Sequence, residues 1–119
     1  MALRPFICAN WQMNLPPREA EAFTPAFLAA LSEETGRLAD AVEVGIAPAH
    51  PGLDRLGQAL ADTPIQLAAQ NVHAEASGAF TGEVSREMLE DLGCRYVLVG
   101  HSERRQLFGE DDATVAAKF

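Results

Sequence analysis

Apolar and polar positions come in alternating blocks along this chain. Phe6 to Ala9 is a short apolar run that follows Pro5 and stops at Asn10, as a strand would. Asn14-Leu15-Pro16-Pro17 reads as a turn, and a helix can begin there because proline is tolerated in a helix's first turn. Ala20, Phe23, Phe27 and Ala30 then share one helical face, with Glu19 and Glu21 off it. Val42 to Ala47 is a second strand run, closed by Pro48. Leu53, Leu56 and Leu60 repeat as a helix stripe, and Ile65 to Ala69 is a third strand. The polar segment Gln70 to Gly82 reads as a long loop. Ser85 can cap a helix carrying Met88, Leu89 and Leu92, and Gly93 sits where a C-terminal glycine belongs. Tyr96 to Val99 is the fourth strand, and Gly100 to Gly109 is a loop or short helix. Asp111 or Asp112 can cap a last helix from about Ala113.

Strand and helix thus alternate four times, which predicts an α/β fold of parallel strands with crossover helices. The second and fourth runs are continuously apolar, as expected of strands covered on both faces. The last helix has hardly one turn before Phe119 and no Gly or Pro stop, so the reading is a single domain over 1–119, truncated within its fourth main helix.

Composition narrows the function classes. With 119 residues, 48% of them apolar, the chain can build one core of ordinary size. Its formal charge of −8 argues against nucleic acid and anionic membrane as partners, since both need a basic surface. No apolar run approaches the roughly 20 residues that span a bilayer, and Met1-Ala2-Leu3-Arg4-Pro5 lacks signal-peptide shape. Cys8 and Cys94 are too far apart for a CxxC site, and no His or Cys spacing suggests a metal. A reduced, cytoplasmic protein is expected. Lys118 is the chain's single lysine.

In parallel α/β folds the chemistry gathers just after the C-terminal ends of strands. Those positions hold Asn10-Trp11-Gln12-Met13-Asn14, His50, Gln70 and His73, and Gly100-His101-Ser102-Glu103-Arg104-Arg105. All three histidines lie there. The run Val99 to Arg105 resembles the signature after the fourth strand of triosephosphate isomerases. Ala9 to Asn14 is similar to that family's first-loop motif, and Gly78 to Glu83 to its dimer-forming third loop. The three motifs keep the family's order, and the similarity runs from Phe6 to Phe119.

The resemblance implies an eight-stranded (β/α) TIM barrel of about 250 residues, of which this chain supplies the first four units. It implies interconversion of glyceraldehyde 3-phosphate and dihydroxyacetone phosphate, a small phosphorylated triose as substrate, and no cofactor. It assigns His101 as the electrophile, held as neutral imidazole at a helix N-terminus, Asn10 and position 12 as substrate-binding, and Glu103 as the partner of residue 12. Gly78, Phe80, Thr81 and Glu83 would form the dimer contact. Gln12 departs from the pattern, because the family has a lysine there whose ammonium holds the phosphate. With that lysine absent, Arg104 or Arg105 is the expected partner of Glu103, and Ser102 the expected cap of the short helix. The family's base, a glutamate after the sixth strand, and its later phosphate loops have no counterpart here, so the half-chain is expected to be inactive alone. It would act with a complementary C-terminal half or as a homo-oligomer. The alternative is a non-catalytic half-barrel that works through self-association or such pairing. Read without the motifs, Asn10 is equally a turn former, His101 a structural loop histidine and Glu103 a solvated charge.

Overall fold

A computed structural model describes residues 3–38 and 41–119. Strand β1 is Phe6–Asn10, β2 Glu43–Ala47, β3 Gln66–Ala69 and β4 Tyr96–Val97; the helices are α1 Pro17–Leu38, α2 Leu53–Leu60, α3 Arg86–Asp91, α4 Ser102–Phe108 and α5 Asp112–Lys118. A single 3₁₀ turn, His50–Gly52, leads into α2. The strands form one parallel sheet in the order β1-β2-β3-β4, with Phe6 opposite Glu43, Ile46 opposite Leu67 and Ala68 opposite Tyr96. This right-neighbour order, with a helix after each strand, is a curled half of a (β/α) barrel.

The core lies between the sheet and α2–α3. Ile46, Leu53, Leu56, Leu60, Leu67, Val72 and Leu89 form it, each at most 4% exposed. Burying one such side chain is worth about 1.5–3 kcal/mol. The stripe Leu53-Leu56-Leu60 puts three of them on the inner face of α2. Trp11, Phe23 and Phe27 extend the packing under α1 through an edge-to-face contact of 5.4 Å and a stacked one of 5.6 Å.

The concave side of the sheet is filled differently. Three strand spacings of about 4.8 Å separate β1 from β4, yet the Phe6 and Tyr96 rings stack with centroids 4.2 Å apart. The sheet must curl for the two edge strands to meet. Gly45 on β2 gives the ring its seat, because a Cβ there would lie 2.7 Å from the Phe6 ring. The stacked Phe6 and Tyr96 rings over Gly45 therefore fill part of this side. Exposed apolar side chains include Phe6 and Val97 on the two edge strands, Ile7 on β1, Met13, and Leu107 and Phe108 on α4.

One strand differs from the sequence reading. The fourth strand is two residues long rather than four, and past it only the Leu98 N–H continues the ladder, donating to the Ala69 carbonyl. The segment read as loop or short helix is a two-turn helix, α4, stopped by Gly109 in the left-handed conformation.

Candidate active site

The first strand-end loop is built around a strained residue. Gln12 has φ +53°, in the left-handed region that costs an L-residue about 1–2 kcal/mol. Three hydrogen bonds hold it there. The Gln12 N–H donates to Asn10 Oδ1 (3.0 Å), and Gln70 Nε2 donates to the carbonyls of both Gln12 and Ala47 (2.9 Å each). Trp11 N–H adds a bond to the Ala47 carbonyl (3.0 Å), and Asn14 closes the turn by donating through Nδ2 to the Trp11 carbonyl. Asn10 is thus a turn former as well as a strand-end amide.

From this loop the Gln12 side chain reaches the fourth strand-end loop. Its Nε2 donates to Glu103 Oε1 at 2.7 Å. Position 12 pairs with Glu103 as the family pattern implies, although through a neutral amide. The expected replacement partners are committed elsewhere. Arg104 donates through Nε to Glu110 (3.0 Å), and Arg105 pairs with Asp112 (2.7 Å) while its Nε donates to the Gly100 carbonyl (3.0 Å). Successive helix positions point about 100° apart, so residues next to Glu103 in sequence are turned away from it.

His101, not Ser102, is the N-cap of α4, and Ser102 is the first helical residue. The His101 Nδ1 accepts the Glu103 backbone N–H at 3.1 Å. An accepting Nδ1 carries no proton, so the neutral ring has its hydrogen on Nε2. The 3.8 Å approach of Nδ1 to Glu103 Oε2 is accordingly not an ion pair. Gly100, just before His101, has φ +67°, and a Cβ there would lie 3.0 Å from both Val115 methyls. Gly100→Ala is expected to cost about 1–2 kcal/mol from the left-handed backbone and about 1–3 more from overpacking, read as a lowered urea midpoint.

Of the other expected residues, Gly78, Phe80, Thr81 and Glu83 form an exposed loop shaped by bonds from Phe80 N–H to the Gly78 carbonyl and Glu83 N–H to the Phe80 carbonyl. Its base is fixed by His73, whose ring lies tilted against Phe80 (centroids 4.1 Å apart) and accepts the Glu75 N–H. Among the described residues this loop makes no hydrogen bond to Asn10, Gln12, His101 or Glu103. Burial pushes the Cys94 thiol up to about 11 and raises that of Cys8, so both are protonated structural groups at neutral pH. Among the described residues no three His, Cys, Asp or Glu side chains gather as metal ligands, and no helix is long and apolar enough to cross a membrane.

Sequence reasoning missed a charged cluster behind the site. Glu110, 3% exposed in its side chain, accepts from Arg104 Nε, Lys118 Nζ (2.9 Å) and the Gly100 N–H (3.2 Å). Lys118 also donates to Asn71 Oδ1 (2.8 Å). The chain's single lysine is therefore held, its side chain 7% exposed, beneath the loop after β4. The signal for it was Gly109, whose left-handed turn throws Glu110 back toward the helix it ends.

Two of these groups predict an acid-sensitive fold. Burial, helped by the charge of Arg104, lowers the pKa of His50 against the opposing backbone bond at Asn71 and the charge of Glu83. Its Nε2 is buried without a partner among the described residues, so a proton there would add an unpaired donor. For Glu110, burial favours the neutral acid, but bonds from Lys118 and Arg104 outweigh it and lower the pKa. In the window below the ordinary histidine value of about 6.5, the unfolded chain binds the proton that folded His50 resists. Stability is therefore expected to fall as pH drops below 6.5. A second loss follows below the ordinary carboxylate range as Glu110 is protonated. Urea unfolding of His50→Gln across pH 3–8 should lack the first limb and keep the second.

Fold and site together define a curled half of a (β/α) barrel with a histidine, an amide-held loop and a carboxylate at its strand ends. The sequence profile of the triosephosphate isomerase family matches residues 5–119. The chain is similar to the triosephosphate isomerase of Chlorobium luteolum, 50% identical over 112 residues that cover 94% of this chain and 43% of the relative. To that of Chloroflexus aurantiacus it is 47% identical (96% and 44% covered), and to that of Rhodopirellula baltica 43% (99% and 44%). The chain belongs to the triosephosphate isomerase family, and it spans less than half the length of these relatives.

Proposed function

We propose that this chain supplies the electrophile-bearing half of a triosephosphate isomerase, interconverting glyceraldehyde 3-phosphate and dihydroxyacetone phosphate through an enediolate in cytoplasmic sugar metabolism. One observation carries the reading: the His101 Nδ1 is occupied by the Glu103 N–H, which leaves a neutral ring with an Nε2–H donor at the strand end. That donor would polarise the substrate carbonyl as the proton moves. The Asn10 amide would contact substrate oxygens, and Gln12, held by Glu103, would take the phosphate with a neutral hydrogen bond. No metal or cofactor enters this chemistry. The base would come from a C-terminal half, and the Thr81 loop would reach a second subunit.

The test joins this chain to the C-terminal segment of the Chlorobium luteolum relative and measures turnover in a coupled assay. Turnover is expected, with His101→Gln lowering it about 10²-fold or more. Inactivity of both the fusion and its Gln12→Lys variant would overturn the reading.

Gln12 also favours a second reading, a non-catalytic half-barrel that acts by assembly. The exposed Ile7 (61%), Met13 (93%), Leu107 (72%) and Phe108 (67%) support association in either case. Light scattering on the dilute 119-residue chain is expected to give a dimer or larger species. A concentration-independent monomer of 12.8 kDa would show that four units suffice alone.

A further inference from the structure

We propose that Glu110 and Arg105 are positioning residues for His101, acting as a two-sided clamp on the Gly100 peptide; the proposal rests on reading His101 as the electrophile. The Gly100 N–H donates to Glu110 Oε1 at 3.2 Å, and the Gly100 carbonyl accepts from Arg105 Nε at 3.0 Å. The N–H and the carbonyl of Gly100, one in each of the two peptide units that flank its α-carbon, are thus both tied to charged side chains. Such bonds are about twice as strong as neutral ones. Neither side chain is free to wander. Glu110 is buried and held by Arg104 and Lys118 on its other oxygen, and Lys118 anchors the group to Asn71 on the loop after β3. Arg105 is braced by Asp112 at the start of α5. Gly100 itself sits in a left-handed conformation with Val115 packed against its α-carbon. The chain direction entering His101 is therefore set by α5 and by the β3 loop, not by β4, which ends at Val97. The consequence is local: with Gly100 fixed, the His101 ring lies where its Nδ1 can accept the Glu103 N–H, and the ring proton stays on Nε2.

The clamp is tested on the 119-residue chain by amide hydrogen exchange and by imidazole ¹⁵N shifts, neither of which depends on catalysis. Arg105→Gln removes the hold on the carbonyl from a partly exposed position. Glu110→Asp shortens the carboxylate so that it cannot keep both Gly100 and the two cations. In each variant the Glu103 and Gly100 amides are expected to exchange at least tenfold faster, and the His101 Nδ1 resonance to move toward that of a free imidazole. Amides inside α2, such as Leu60, should keep their rates. A uniform loss of protection across the chain would mean a merely structural role and overturn the proposal, as would unchanged Glu103 exchange. Should Glu110→Asp fail to fold, the double variant Glu110→Gln with Lys118→Met serves instead. It keeps an acceptor for the Gly100 N–H and strands no lysine charge, so Glu103 protection is expected to match the parent, and its loss would overturn the role of Glu110. Failure of the isomerase reading would appear only in the fusion assay and leave these rates untouched.

Discussion

A polypeptide of these 119 residues, purified alone, is expected to give no triose phosphate isomerisation above background in a coupled assay. The donors of the site are present but lack a partner to move the proton. General base catalysis typically contributes 10² to 10⁴ in rate, and of the carboxylates in the strand-end loops Glu103 is engaged by Gln12, while Glu75 and Glu83 stand exposed on the loop after β3. Electrostatic stabilisation adds a second deficit. Donors aimed at a developing oxyanion are strong where water is excluded, whereas the His101 side chain is 33% exposed and that of Glu103 48%. The two deficits multiply, so the expected loss exceeds 10⁴-fold relative to an intact enzyme. Turnover within tenfold of the Chloroflexus aurantiacus relative, measured side by side, would show that the first four units hold a complete site.

What could be read from the sequence was whatever is local or periodic. Strands β2 and β3 and helix α2 announce themselves because their apolar positions face a core between sheet and helices, and Leu53-Leu56-Leu60 has no other use; β1 is legible as an apolar run although Phe6 and Ile7 are exposed. Helix α4 gives no such stripe. Its apolar residues Leu107 and Phe108 are exposed, and it forms because His101 caps one end and Gly109 stops the other. The short β4 follows from position, since it is the last strand of the sheet and pairs on one side only.

The site divides in the same way. Asn10, Gln12, His101 and Glu103 lie in short motifs; with the family's lysine absent the sequence points to Arg104 or Arg105 as the partner of Glu103, and it is the structure that shows the Gln12 amide still reaching it across 91 residues. Gln70, which locks the strained Gln12 from 58 residues away, carries no mark in the sequence that separates it from any loop glutamine. The Glu110 cluster was missed because Arg104 was matched with its sequence neighbour Glu103, while the helix turns it toward a carboxylate that only the Gly109 turn brings back.

Gln12→Lys in the fused protein is expected to raise kcat/KM by about a hundredfold or more. The residue's backbone is already fixed by Asn10 and Gln70, so the loop need not reorganise to accept the change. Lysine is one atom longer than glutamine, and its ammonium would still reach Glu103, now 2.7 Å from the amide it replaces. The pair becomes charge-assisted, and a cation stands where the family binds the substrate phosphate. Loss of one preorganised donor typically costs 10² to 10³ in rate, and a missing ammonium opposite a dianion belongs at the upper end of that range. Stability should respond far less, because an exposed ion pair is worth about 0–1 kcal/mol and both side chains are solvent-exposed. The same variant in the 119-residue chain should therefore shift the urea midpoint only slightly. The two readouts separate the causes: a large gain in kcat/KM, with tighter inhibition by inorganic phosphate and an unchanged midpoint, assigns the effect to the substrate's charge. If kcat/KM and phosphate inhibition both stay as they are with Gln12, the phosphate is held by other groups, and the neutral pair with Glu103 is the form this site uses.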